Sequence, residues 1–151
     1  MSAENKKAVV LEHHAFATFR SYITHDDYDH VYSLAKKHMP ERLARIEESY
    51  RIDSVEVLLD KLGVDYTVDY KGKRYAIDVT IGGRSIARSK IDKLGGMKEF
   101  FDELGYEPVV IRSTRGLIPR NIFKLINMSS RIQGVADCRL GSNLSLVKTA
   151  Q

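Results

Sequence analysis

The stretch VDYTVDYKGKRYAIDVTI, residues 64 to 81, carries the clearest local pattern in the chain. Val64, Tyr66, Val68 and Tyr70 alternate with Asp65, Thr67 and Asp69. Beyond Lys71 and Gly72, the apolar Tyr75, Ile77, Val79 and Ile81 alternate with Arg74, Ala76, Asp78 and Thr80. A period of two marks a half-buried strand, so two such runs about a Lys-Gly pair predict a hairpin with one apolar face. With Lys71 and Gly72 as the turn residues, Tyr70 faces Lys73, Asp69 faces Arg74 and Asp65 faces Asp78.

That register has an electrostatic consequence. Facing side chains have Cβ atoms about 5 Å apart. Two carboxylates at that separation, at an effective dielectric near 20, repel by roughly 3 kcal/mol before screening, which is large beside the net stability of a domain. Either both fan out into water, or a hard divalent cation sits between them. Mg²⁺ suits the second arrangement, since it takes one or two carboxylates together with waters and phosphate oxygens. Asp69 has a simpler expectation, an exposed ion pair with Arg74.

Upstream, the period becomes helical. Val9, Ala15, Phe16, Phe19 and Ile23 predict a helix over 8–23, and Thr24 is the expected N-cap of a second that runs to about residue 37, with Asp26 and Asp27 in its first turn. Pro40 opens a third helix carrying Leu43, Ile46 and Tyr50. Asp53 starts a fourth, with Val55, Leu58, Leu59 and Leu62 on its buried face and Gly63 just past its end. Downstream, 85–104 reads as a helix interrupted at Gly95 and Gly96, and 107–112 as a strand buried on both faces. A short basic helix is expected over 119–127, and the last 20 residues have no clear pattern.

These elements predict one mixed α/β domain over 1–151: a helical extension (1–52), a core (53–112) and a basic C-terminal region (113–151). Residues 1–80 hold 12 basic and 14 acidic side chains, whereas 81–151 hold 12 and 6. After Pro108, Arg112, Arg115, Arg120, Lys124, Arg131, Arg139 and Lys148 are set against Asp137 alone. A cationic C-terminal third points to a polyanion partner, or simply to a solvated basic surface. The one cysteine, Cys138, has no partner in the chain for a disulfide, which fits a reducing, cytoplasmic setting. No signal peptide or membrane span is evident.

With the helix before it, Asp65, twelve intervening residues and Ile77-Asp78-Val79-Thr80, the segment resembles the PD-(D/E)XK nuclease superfamily, which includes restriction enzymes, junction resolvases and small homing endonucleases. The resemblance covers roughly residues 54–112. It implies a restriction-endonuclease-like core of helix, hairpin, helix and strand, and an Mg²⁺- or Mn²⁺-dependent endonuclease hydrolysing DNA phosphodiester bonds. Asp65 and Asp78 would be the motif acids and metal ligands, and Glu56 a further ligand from the upstream helix. Glu56 equally completes a D-x-x-E capping box with Asp53. The family lysine belongs two residues after the second acid, where this chain has Thr80. Lys90, or Lys93, on the following helix is the available substitute.

Arg84 and Arg88 flank the turn that leads into that helix, where phosphate contact is expected. With Lys93, Arg112, Arg115, Arg120, Lys124 and Arg131 they form the expected grip on double-stranded DNA. Cutting both strands with so small a chain implies a homodimer or higher oligomer. Two alternatives stand beside this: a catalytically silent nucleic-acid-binding protein, because Thr80 replaces the lysine, and a structural or protein-binding domain. The run from His25 to His30 resembles the core of HD-type phosphohydrolases, but helix capping accounts for Asp26 and Asp27. His13 and His14 point about 100° apart on a helix and do not converge on one ion.

Overall fold

The computed structural model describes residues 3–113, 116–123, 126, 134–139 and 143–148. Among these are six helices: α1 (Ala3–Phe19), α2 (Tyr28–His38), α3 (Pro40–Ser49), α4 (Val55–Leu62), α5 (Arg84–Gly95) and α6 (Lys98–Leu104). Five strands complete the element list: β1 (Tyr66–Tyr70), β2 (Lys73–Thr80), β3 (Glu107–Ser113), β4 (Gly134–Arg139) and β5 (Asn143–Lys148). They form one mixed sheet in sequential order, with β2, β3 and β4 parallel at its centre and antiparallel edges β1 and β5. The fold is mixed α/β, and no described helix is long and apolar enough to cross a membrane.

The hairpin has the expected register, with Tyr66 opposite Ile77 and Asp69 opposite Arg74. Lys71 (φ 51°) and Gly72 (φ 84°) are both left-handed, the backbone of a two-residue turn whose twist matches that of paired strands. The expectation of one apolar face needs correction. β2 is buried on both sides, because β3 pairs along its other edge and helices cover both faces of the sheet. Tyr75 and Ile77 pack with Leu11, Ala15 and Phe19 of α1 and with Ile122, Phe123 and Ile126. Ala76 packs on the opposite face with α2 through α6. The alternation in β2 thus separates two cores rather than core from water, and Asp78 lies on the face of α5.

Three helices differ from expectation. α1 spans Ala3–Phe19 rather than 8–23: Val9 and Phe16, expected on its apolar face, are exposed, and Ile23 lies beyond its end, bridged to Val68. Asp27, not Thr24, caps α2, its carboxylate accepting from the His30 N–H at 3.1 Å. Thr24 instead turns inward, where its hydroxyl meets the hydroxyls of Tyr106 at 2.6 Å and Thr67 at 2.9 Å. At α4 the Ser54 hydroxyl accepts from Val57 N–H, so Ser54 is the N-cap and the Asp53/Glu56 capping box is not formed. The rest follows the pattern read from sequence: Gly63 ends α4 at φ 102°, Pro40 starts α3, and the chain breaks between α5 and α6 at Gly95-Gly96. β3 is buried on both faces at Val109, Val110 and Ile111. Of the expected basic helix over 119–127, the described Ile122, Phe123 and Ile126 are buried in the α1-side core.

Candidate functional site

Asp65 and Asp78 meet at the end of the sheet where the parallel strands finish. The Asp65 N–H donates to Ile77 O at 2.8 Å, continuing the hairpin ladder beyond β1. The Val79 N–H donates to Asp65 Oδ2 at 2.9 Å, which holds that carboxylate against β2. Asp65 is exposed, whereas Asp78 is buried, with 10% of its side chain accessible. The two carboxyl groups interact, and Lys90 Nζ of α5 lies 3.7 Å from Asp78 Oδ1. Burial, then the hydrogen bond and negative charge of Asp65, push the Asp78 pKa up to about 7, against a smaller lowering by Lys90. One cation is not enough to offset desolvation plus a neighbouring carboxylate.

Two grooves open from these three residues. The larger, about 440 Å³, runs between α1 and the ends of β1 and β2, with Glu12, Tyr66 and Thr80 on its walls. The smaller, about 230 Å³, runs toward the end of α4 and is lined by Asp60, Gly63 and Lys93 as well as the central trio. In open α/β sheets, ligands bind beyond the carboxyl ends of parallel strands, and that is where the grooves lie. Among the described residues no three His, Cys, Asp or Glu side chains are close enough to hold one ion together. An ion here would have two carboxylates, with the rest of its shell from water and substrate oxygens, a composition Mg²⁺ favours.

The other expected site residues divide sharply. Lys90 and Thr80 are at the site, yet the Thr80 hydroxyl accepts from Gly82 N–H at 3.1 Å and so braces the turn into α5. Glu56 is not brought to the site: it is exposed, 3.7 Å from His25 Nδ1, and lines neither groove. Arg112 Nε donates to Gly82 O at 2.8 Å, clamping the same turn from β3. A Cβ at Gly82 would approach the Ile86 side chain to 2.8 Å, which accounts for glycine in a turn held this tightly. Arg84, Arg88, Lys93 and Arg120 are exposed. Arg115, Lys124 and Arg131 lie outside the described residues.

No family model, curated protein or solved structure matches this chain.

Two carboxylates escaped the sequence reading, Glu12 and Asp60. Glu12 follows Leu11 on α1, whose buried face docks on β2 and carries the glutamate to the groove rim. Nothing local indicates which strand α1 covers. Asp60, in the last turn of α4, comes near because Val64 and Asp65 follow Gly63 at once. The short connection was the available signal.

Asp26 belongs to a separate polar cluster. Its carboxylate is 2.8 Å from Arg74 Nη2 and also accepts from the Tyr106 hydroxyl. Arg74 Nη1 donates to Leu104 O at 3.0 Å, and the guanidinium lies over the Tyr106 ring. The Asp69–Arg74 ion pair is therefore replaced, and Asp69 Oδ1 instead accepts from Gly72 N–H at 3.1 Å across the hairpin turn. His14 Nδ1 accepts from Ile118 N–H at 2.9 Å, a structural role.

Proposed function

We propose that this chain is a metal-dependent endonuclease acting on DNA phosphodiester bonds, of the homing or structure-specific kind. One observation carries the reading: a buried carboxylate, Asp78, faces a second carboxylate, Asp65, beside Lys90, at the mouth of an open groove. A pair this poorly neutralised is costly unless it serves a cation. Asp65 and Asp78 would hold Mg²⁺ or Mn²⁺, which supplies Lewis-acid polarisation of a phosphate and lowers the pKa of a water.

The chain's own groups then have defined tasks. Asp78 gives up its shared proton on loading, so metal affinity rises with pH through the range in which it titrates. Asp65, fixed by the Val79 N–H, presents its carboxylate without reorganisation. Lys90, 3.7 Å from Asp78, would oppose the negative charge that builds on the phosphate. Glu12, on the groove wall, is positioned to orient water rather than to bind the ion directly. Arg84, Arg88 and Lys93 would grip the duplex backbone, and a homodimer would bring a second site to the other strand.

A second reading has a specific observation behind it. Thr80 stands where a lysine is expected and its hydroxyl is occupied by Gly82 N–H, which favours a nucleic-acid-binding protein that does not cut. Purified protein incubated with duplex, branched and single-stranded DNA, with Mg²⁺, Mn²⁺ or EDTA, separates the two. Cleavage with metal that is lost in Asp78→Ala supports the enzyme. Tight binding without cleavage under any metal supports the silent binder. Sedimentation on and off DNA tests the dimer, and a monomer in both states contradicts it.

A further inference from the structure

A cavity of about 720 Å³ opens on the helical side of the molecule, away from the carboxylate pair. Its walls come from the α2–α3 junction and from the α5–α6 break at Gly95 and Gly96. Six ionisable groups line it: His38, Glu41, Arg42, Arg45, Lys98 and Glu99. Lys98 is already held by Asp102 at 2.6 Å, and His38 Nε2, buried without a directed hydrogen bond, still has the Glu103 carboxylate 3.1 Å away. Among the described residues Arg42 and Arg45 have no carboxylate so close and no ion-pair partner, and Nη1 of Arg42 is buried without a hydrogen-bond partner.

A guanidinium cannot shed its charge by deprotonating, so a buried unpaired N–H of arginine is a standing cost. Glu41 and Glu99 share the cavity but pair with neither arginine. Two arginines one helical turn apart on α3 can offer several N–H groups to a compact oxyanion. Arginine favours phosphate because its fixed fork of donors matches the spacing of two phosphate oxygens.

We propose that this cavity binds a phosphate group through Arg42 and Arg45. The site stands apart from the Asp65/Asp78 pair and does not depend on the nuclease reading. The phosphate has two possible sources, a soluble phosphate ester or a nucleic-acid backbone, and their shared chemistry is the oxyanion.

The test is thermal unfolding in EDTA with pyrophosphate, against sodium chloride at equal ionic strength. At a concentration well above Kd the wild type is expected to gain about 5 °C. Arg42→Met should show no gain, which separates binding from the general salting effect of polyvalent anions, felt equally by both proteins. If Arg42→Met does not fold, Arg42→Lys keeps the charge without the fork and should lose most of the gain, as should Arg45→Gln. Asp78→Asn should gain as much as wild type. A wild type indifferent to pyrophosphate, an equal gain in the Arg42 variants, or loss of the gain in Asp78→Asn would each overturn the proposal. Binding of a short DNA duplex in EDTA, weakened at least fivefold by the Arg42 substitution, assigns the backbone as the source. A pyrophosphate response with duplex binding unchanged assigns a soluble ester.

Discussion

At the turn end of the hairpin, Asp26 is 14% exposed and lies under Arg74 and Tyr106; at the open end, Asp78 is 10% exposed and faces Asp65. The two carboxylates are hidden to a similar degree. Asp26 has a guanidinium at 2.8 Å and a phenol donor, with Thr24 and Thr67 completing the network. Asp78 has a second negative group and an ammonium at 3.7 Å. A satisfied network serves the fold, whereas one that leaves like charges together is strained in the absence of another component. The difference locates the candidate site more firmly than burial does, since burial alone would not distinguish them.

The largest expected effect comes from removing the strained member. Asp78→Asn should reduce metal-dependent cleavage by about a thousandfold, several kcal/mol of transition-state stabilisation, in a single-turnover assay. The opposite result belongs to the other end. Arg74→Met should lower unfolding free energy by about 2–4 kcal/mol in urea titration, because it strands Asp26, with partial exposure of Arg74 moderating the loss. Metal binding measured below the new melting point should be unchanged. If Arg74→Met removed metal binding while the protein stayed folded, the functional separation of the two ends would be broken.

The pH dependence sharpens the contrast. The folded pKa of Asp78 is raised to about 7 by burial and by Asp65, whereas an unfolded aspartate titrates near 3.9. Between those values the unfolded chain has released its proton and the native chain has not, so the native state loses stability as pH rises through this window. In EDTA the melting temperature of Asp78→Asn should therefore exceed that of wild type by more at pH 8 than at pH 4. Adding Mg²⁺ at pH 8 should narrow the gap by stabilising only the wild type. Smaller still is the effect expected at Glu12, where Glu12→Gln should weaken Mn²⁺ binding by about tenfold as an outer contact does. Glu56, whose ion pair among the described residues is with His25 at the surface, should tolerate Glu56→Gln with both binding and stability essentially unchanged.

How much of this was legible in sequence follows from the range over which each feature is determined. The facing of Asp65 and Asp78 could be read because the Lys71-Gly72 turn fixes pairing within a few residues. Gly63, Pro40 and the Gly95-Gly96 break are equally local. The burial of both faces of β2 could not be read, since it depends on β3 pairing from thirty residues away and on α1 crossing from the N-terminus. For the same reason Glu12 was missed and Glu56 misplaced. A capping box and a ligand look alike in one dimension, and Ser54 takes the cap that Asp53 was expected to supply. Arg74 was assigned to its cross-strand neighbour Asp69, but tertiary packing offers it the buried carboxylate of Asp26 and the ring of Tyr106. Local rules named Asp65 and Asp78; the packing added Glu12 and Asp60, left Glu56 out, and showed which groups are satisfied.

Anomalous scattering from a crystal soaked in Mn²⁺ addresses the central claim most directly. One peak should stand within about 2.3 Å of a carboxylate oxygen from both Asp65 and Asp78, with none at Asp26. No peak at millimolar Mn²⁺, or one coordinated elsewhere while the Asp65 and Asp78 side chains diverge, would contradict it.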